Sequence, residues 1–487
     1  VAVVMDTQFQ GLFQTEFYQD NYDAQFMQPS NESLFLTDAD FRIVDGGAAN
    51  LKLDEDNNTA TITLRDNLKW SDGEDVTADD VIFSYEVIGN KDYTGIRYDN
   101  NFTNIVGMED YHDGKSDTIS GITKESDKVV KIQYKEVHPG MMQAGGGIWS
   151  SALPKHAFEG IAVKDMESSD PVRKTPIVFG PYVMSNIVAG ESVEYVPNEY
   201  YYGGKPKMDK LSFKAVPAAS IVEGLKAKQY DLALSMPTDT YPTYKDADGY
   251  QILGRPEQAY TYIGFKLGTW DDKEGKVNYN PESKMADKSL RQAMGYALDN
   301  DAVGSRFYNG LRSNATTLIP PVFGTLHDTE VKGYTQDIDK ANKLLDDAGY
   351  KDVDGDGMRE DKNGEKLTIN ASMSGGETAQ PLADYYIQQW NEIGLDVKYT
   401  TGRLIDFQAF YDKLKNDDPE IDVYQGAWGT GSDPSPTGLY GPNSAFNYTR
   451  FESDENTKLL EAIDSKESFD EAKRKEAFDA WQEYAAD

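Results

Sequence analysis

Leu68-Lys-Trp-Ser-Asp-Gly-Glu-Asp-Val-Thr-Ala-Asp-Asp-Val-Ile-Phe-Ser-Tyr-Glu-Val-Ile88 is the stretch around which the rest of the chain can be placed. Leu64 to Trp70 alternates as a strand does and stops at Ser71-Asp-Gly73, where glycine tolerates the positive φ of a tight turn. Thr77 then reads as a helix N-cap with Asp80 three residues on, a capping-box arrangement that also puts carboxylates at the positive end of the helix dipole. Val81, Tyr85 and Ile88 follow at helical spacing and predict one buried face. The residues alone therefore predict a strand, a turn and a helix, with no chemistry attached.

Around that corner the composition narrows the possibilities. With 487 residues the chain is longer than one hydrophobic core usually organises, so two or three domains are expected. No run of eighteen apolar residues occurs, and Val1 is not followed by a basic and then apolar export signal, so any such signal is expected to have been removed already. A net charge of −35 argues against nucleic acid as a partner, because phosphate contacts need clustered Lys and Arg. The absence of cysteine fits an exported Gram-positive protein and equally other compartments, and it removes thiol nucleophiles and thiolate metal sites. His112, His138, His156 and His327 are scattered, with no ligand spacing among them.

The wording Trp70-Ser-Asp-Gly-x-x-Val-Thr-Ala-x-Asp-Val-x-Phe-Ser84 closely resembles the signature of the extracellular solute-binding proteins that feed peptide and nickel ABC importers, and among these the Gram-positive oligopeptide-binding lipoproteins. Val178-Phe-Gly-Pro-Tyr-Val-Met184 and Asn198-Glu-Tyr-Tyr-Tyr-Gly203 resemble two further family runs, although Val178 stands where relatives carry glycine. Gln229 likewise replaces a glycine at the end of the 223–231 segment. Arg291, Ala293, Ala297 and Asp299 match a family helix. The resemblance implies a two-lobed α/β fold of the periplasmic-binding-protein type, with mixed sheets, an inserted subdomain and a ligand cleft between the lobes. Residues 1–35 with 154–262 are expected to form lobe I, 36–153 the inserted subdomain, and 263–487 lobe II. In the family a further segment returns to lobe I, and the text before Val1 and after Asp487 looks cut.

Local patterns fill in this frame. Ala60–Leu64 and Val129–Tyr134 read as strands of the insert, and Gly145-Gly-Gly147 as a flexible turn with no phosphate-loop Lys-Ser/Thr after it. Tyr260 to Lys266 has period 2, and in the family this strand crosses between lobes. Ser289 to Asn300 and Asp337 to Gly349 are amphipathic helices, the second closed by a C′ glycine, and Tyr385–Ile393 followed by Leu395–Tyr399 adds a helix and a strand. This alternation predicts a largely parallel sheet in lobe II.

Ile421 to Pro436 begins as a buried strand and opens into a loop rich in Gly and Pro, the place where α/β sheets bind ligands. By resemblance, Trp428 and Asp433 match the family's Trp and Asp of the ligand loop, whose Asp accepts a peptide α-ammonium; by residues alone Asp433-Pro434 is a turn opener. Gly426, Tyr440 and Phe446 are expected to line the same region, with Tyr448 beside them and core packing as the other reading of the aromatics. Ser235 and Met236, at the end of a strand before Pro237, are expected ligand contacts or a plain turn entry. Asp352, Asp354 and Asp356 have the spacing of a Ca²⁺ loop with Gly357 at its bend, but the twelfth position is Asn363; a structural Ca²⁺ and a solvated acidic turn are both consistent with this.

The function implied is a receptor, not an enzyme: no Ser/His/Asp order, paired carboxylates, Walker sequence or dinucleotide fingerprint stands out. It would take extended oligopeptides by backbone pairing, without a cofactor apart from that candidate Ca²⁺, and hand them to an ABC importer's permease and ATPase subunits. The resemblance further implies a monomer held at the extracellular cell surface by a lipid anchor outside this chain. The alternatives are an oligosaccharide stacked on the abundant Tyr and Trp, a peptide pheromone, and, with so few histidines, least of all a metal chelate.

Overall fold

The computed structural model describes residues 1–5, 8–238, 240–375 and 379–487. They form two compact units, Val1–Leu253 and Gly254–Asp487. The division precedes the expected one at 262/263. The reason is the strand Ala259–Phe265, which pairs along its whole length with Val423–Gly429 and so belongs to the second unit's sheet.

In the first unit the apolar run Ala2–Val4 forms a strand buried on both faces. It lies parallel to Leu211–Val216 on one side and to Ala233–Leu234 on the other, and the strands Ser192–Pro197 and Tyr182–Val188 complete a five-stranded sheet. Val3 packs with Phe9, Phe13, Phe26 and Tyr195 on one face, whereas Ala2 and Val4 meet Val216, Ile221 and Leu225 on the other. A continuous apolar stretch is what a doubly covered strand requires.

A second, antiparallel sheet of this unit lies within 36–153, in the order Ala49–Asp54, Thr59–Leu64, Val129–Gln133, Ile122–Ser126. The Leu68–Ile88 corner sits beside it. The strand stops at Leu64, short of the expected Trp70; Leu68 and Trp70 are buried all the same, and Gly73 takes φ +96° in the turn. The helix Ala78–Gly89 buries Val81, Tyr85 and Ile88. Asp80 does more than cap. Its Oδ2 accepts the Thr77 backbone N–H at 2.9 Å and the Trp70 indole N–H at 3.2 Å, and its Oδ1 accepts the Lys155 backbone N–H at 3.0 Å. Trp70 in turn meets Phe179 edge-on at 5.5 Å, and the Asn198 amide donates to the Gly180 carbonyl at 2.9 Å. Three separate runs of the family-like wording thus pack into one structural joint.

The second unit is built on a four-stranded sheet in the order Ala259–Phe265, Val423–Gly429, Thr368–Ser372, Asp396–Tyr399. The first pairing is antiparallel and the other two are parallel. Helix Lys288–Ala297 buries Leu290, Ala293, Met294 and Ala297, the face the sequence marks. Helix Ile338–Ala348 starts at an Asp337 cap and ends at Gly349 in the left-handed conformation. Helix Ala379–Glu392 brings Trp390 into the core, where its indole N–H donates to the Met294 carbonyl at 3.0 Å. Helices Asp454–Asp464 and Glu471–Ala486 pack together, with the Trp481 indole N–H donating to Asn456 Oδ1 at 3.0 Å. Among the described residues no helix is long and apolar enough to cross a membrane.

Candidate functional site

Strand Val423–Gly429 enters the second unit's sheet buried at Val423 and Tyr424 and emerges through exposed Ala427 and half-buried Trp428 to exposed Gly429. Its opening is anchored on both sides: Thr430 N–H donates to the Gln258 carbonyl at 2.8 Å, and the Gln258 amide donates to the Gly431 carbonyl at 2.7 Å. Gly431 turns the chain with φ +64°. The loop is then pinned from beneath. The hydroxyls of Ser435 and Thr437 donate to the Asp464 carboxylate at 2.9 and 2.5 Å, at the end of one helix. Arg474, near the start of the next helix, pairs with Asp433 through Nη2 and Oδ1 at 3.1 Å.

Asp433 opens the turn and is ion-paired at the same time. Its Oδ1 accepts the Ser435 backbone N–H at 3.1 Å, the turn an Asp-Pro opening favours, while the side chain stays 20% exposed. Its partner Arg474 is buried, with 4% of its side chain accessible. Nothing in the expected site included that guanidinium. A signal was available, since Arg474, Phe478, Trp481 and Gln482 share one helical face and all are buried.

The aromatics sort into exposed and structural members. Trp428 stacks on Tyr448 at 5.6 Å and meets Phe446 edge-on at 5.8 Å, and Phe446 is 55% exposed. Tyr448 is buried. The Tyr440 hydroxyl is bonded to the Tyr260 hydroxyl at 2.7 Å, and its ring lies against Trp481 at 5.8 Å. Burial raises both phenols above the usual range, so they act here as neutral hydrogen-bonding groups. Gly426 sits opposite Tyr262, whose ring covers it: a Cβ there would meet the ring at 3.1 Å. Gly426 is thus a packing position under an aromatic ring, as is Gly264 under Tyr424.

Below the loop lies a buried ion cluster that the sequence reading missed. Asp417 Oδ1 accepts from Lys266 Nζ at 2.5 Å and from Arg450 Nε at 2.8 Å, and its Oδ2 accepts the Trp270 backbone N–H at 2.6 Å. Lys266 Nζ also donates to the Tyr448 carbonyl at 3.0 Å, and Arg450 Nη1 to the carbonyls of Ala445 and Asn447 at 2.9 and 3.1 Å. The cluster holds the segment that carries Phe446 and Tyr448. Loss of hydration pushes Lys266 down to about 8, with Asp417 opposing that shift.

In the first unit Ser235 lies exposed at the end of the strand Ala233–Leu234, in the left-handed conformation with φ +59°. Its hydroxyl accepts from the Gln25 side-chain amide at 2.9 Å. It borders a recess of about 200 Å³ shared with Met5, Tyr22, Ala218 and Pro237. Met236 is half-buried against the cluster of Ala2, Val4 and Ile221.

The acidic turn brings carboxylate oxygens of Asp352, Asp354 and Asp356 within 4.8 Å of one another, all three exposed. Each is already engaged by the turn's own backbone. Asp352 accepts Gly355 and Gly357 N–H at 2.7 and 3.0 Å, Asp354 accepts Asp356 N–H at 3.0 Å, and Asp356 accepts Met358 N–H at 2.8 Å. At the twelfth position Asn363 turns its backbone N–H to Asp361 at 2.8 Å and offers no bidentate carboxylate, so the residues present fall short of a full calcium shell.

The model of the bacterial extracellular solute-binding proteins, family 5 (middle) matches residues 42–450, and the chain belongs to that family. Its two-lobed α/β architecture with mixed sheets is the one seen in solved members. Among individual relatives, the oligopeptide-binding protein OppA of Lactococcus lactis subsp. cremoris is 40% identical over 460 residues, 93% of this chain and 76% of that protein. The solved lactococcal OppA, complexed with an endogenous peptide in the closed conformation, is similar with a TM-score of 0.74 at 38% identity, covering 99% of this chain and 91% of that one. The ABC transporter substrate-binding protein CtaP of Listeria monocytogenes shares the fold, with a TM-score of 0.75 at 24% identity over 100% and 90% of the two chains.

Proposed function

We propose that this chain is the substrate-binding receptor of an ABC importer, capturing extended oligopeptides largely through their backbone and delivering them to a membrane permease. The observation that carries the reading is the opening of the 423–429 strand, whose Trp428 lies against exposed Phe446, into a doubly pinned loop that carries a partly exposed carboxylate, Asp433. This occurs in a chain 40% identical to an oligopeptide-binding protein. Asp433 accepts the peptide's α-ammonium, and Trp428 and Phe446 provide apolar contact. Tyr440 and Gly426 shape the wall from behind.

Binding of this kind needs no cofactor and no catalytic group. Within the same reading the receptor acts outside the cell as a monomer, tethered by a lipid anchor that lies outside these residues, and it serves a permease with its ATPase subunits. The reading also keeps 36–153 as an inserted subdomain of the first lobe.

Native mass spectrometry of the protein purified from a peptide-rich medium, followed by sequencing of what is released, tests the proposal. A mixed population of peptides is expected. A homogeneous sugar, or no ligand together with no calorimetric response to a peptide mixture, would overturn it.

A further inference from the structure

We infer that Arg474 sets how strongly this site prefers a free amino terminus, by neutralising part of the recognition carboxylate before any ligand arrives; the inference rests on the reading of Asp433 as the ammonium acceptor. Among the described residues, Asp433's hydrogen bonds and ion pair fall on one oxygen. Oδ1 takes both the Ser435 N–H and the Arg474 guanidinium at 3.1 Å, and among the described residues no hydrogen bond or ion pair falls on Oδ2. The carboxylate is 20% exposed, so Oδ2 is the atom left for a ligand cation, while the guanidinium behind it is 4% exposed.

Arg474 is held in place by its own helix. It shares a helical face with Phe478, Trp481 and Gln482, all buried, and the loop it faces is tied to Asp464 through Ser435 and Thr437. The guanidinium keeps its charge at every working pH, and burial weakens the screening that water and salt would provide. An ammonium arriving on Oδ2 gains a directional charge-assisted hydrogen bond, but it also meets a fixed positive charge across a single carboxylate. Repulsion at that range, in surroundings between bulk water and dry protein, offsets a sizeable part of the attraction. The site then favours free amino termini only moderately and tolerates blocked ones. A receptor that must bind many peptides and release them gains breadth from such a neutralised anchor.

Titrations with one alanine-rich octapeptide, made with a free and with an acetylated amino terminus, test this on the full chain. The quantity read is the ratio of the two affinities. Arg474→Gln and the similarly sized Arg474→Met remove the charge and are expected to raise that ratio about tenfold, whereas Arg474→Lys keeps it near the wild-type value. Asp433→Asn should bring the ratio towards one. If Asp433→Asn does so but both neutral variants at 474 lower the ratio or leave it unchanged, the role given to Arg474 falls while Asp433 keeps its own. If Asp433→Asn leaves the ratio untouched, the reading of Asp433 fails first. If neither neutral variant folds, as judged by circular dichroism, the charge is structural and the inference is overturned. A merely structural Arg474 would change both affinities together and leave their ratio alone.

Discussion

Lys266 is a cation with only 7% of its side chain exposed, held by Asp417 beside the fully buried Arg450. Burial strips its ammonium of water and, with a smaller push from the neighbouring Arg450 charge and against the pull of Asp417, brings Lys266 down to about 8 from an ordinary 10.5. The unfolded chain therefore binds more protons than the folded one between those two values, so stability must rise with pH across that window, and the burial penalty is present in full below about pH 8. Buried phenols act the other way above pH 10, because Tyr424 and Tyr440 hold their protons more tightly in the fold. The clean interval is thus pH 7.5 to 9.5. Over it, denaturant unfolding of the wild type should gain roughly 1–2 kcal/mol relative to Lys266→Met, which lacks the titration. Parallel pH dependence in the two proteins would remove Lys266 from this role. Arg474 belongs to the same scale: a charged residue that the sequence shows only as one of three basic residues in Lys473-Arg-Lys475 becomes decisive once its helical face is known.

Among the elements, the pairing of Ala259–Phe265 with Val423–Gly429 shapes the wall of the proposed site. Tyr262 lies across from Gly426, and Gly264 across from Tyr424, so each ring folds over a glycine on the neighbouring strand. The two glycines differ in tightness. A Cβ at Gly264 would come within 2.3 Å of the Tyr424 ring, which is wholly buried and cannot withdraw, while at Gly426 the nearest atoms of Tyr262 are 3.1 Å away. Gly264→Ala should therefore cost about 2–3 kcal/mol of unfolding free energy, and Gly426→Ala about 1 kcal/mol or less. Equal costs, measured by urea titration, would contradict the packing described. Such reciprocity could not be read from the chain because it depends on register, and register joins residues far apart in sequence. What could be read was local or repetitive: the Asp80 cap, the apolar face of Lys288–Ala297, the Gly349 stop. The strand that was expected to reach Trp70 ended at Leu64, because Trp70 is buried by its bond to Asp80 and its contact with Phe179 and needs no place in the ladder.

For the whole molecule, the largest electrostatic fact is the net charge of −35. Many basic side chains are paired with acidic neighbours, several within one helix turn, as in Lys343 with Asp347 and Lys475 with Asp479, and the excess of acid remains as a field around the protein. Exposed pairs of this kind contribute little to stability, but the uncompensated field acts at a distance and attracts cations before contact is made. If the ligands are peptides, those carrying lysine should associate faster than otherwise identical peptides carrying glutamate. Ionic strength separates this effect from any preference within the site, because the screening length falls from about 30 Å at 0.01 M salt to about 3 Å at 1 M. Stopped-flow tryptophan fluorescence should show association rates differing by about tenfold at the low salt and nearly equal at the high salt. Dissociation rates should change far less, since steering acts on the encounter and not on the bound state. A charge preference that persisted undiminished at 1 M salt would instead place the discrimination in contacts made by the bound peptide, and the acidic surface would be left with solubility as its physical role.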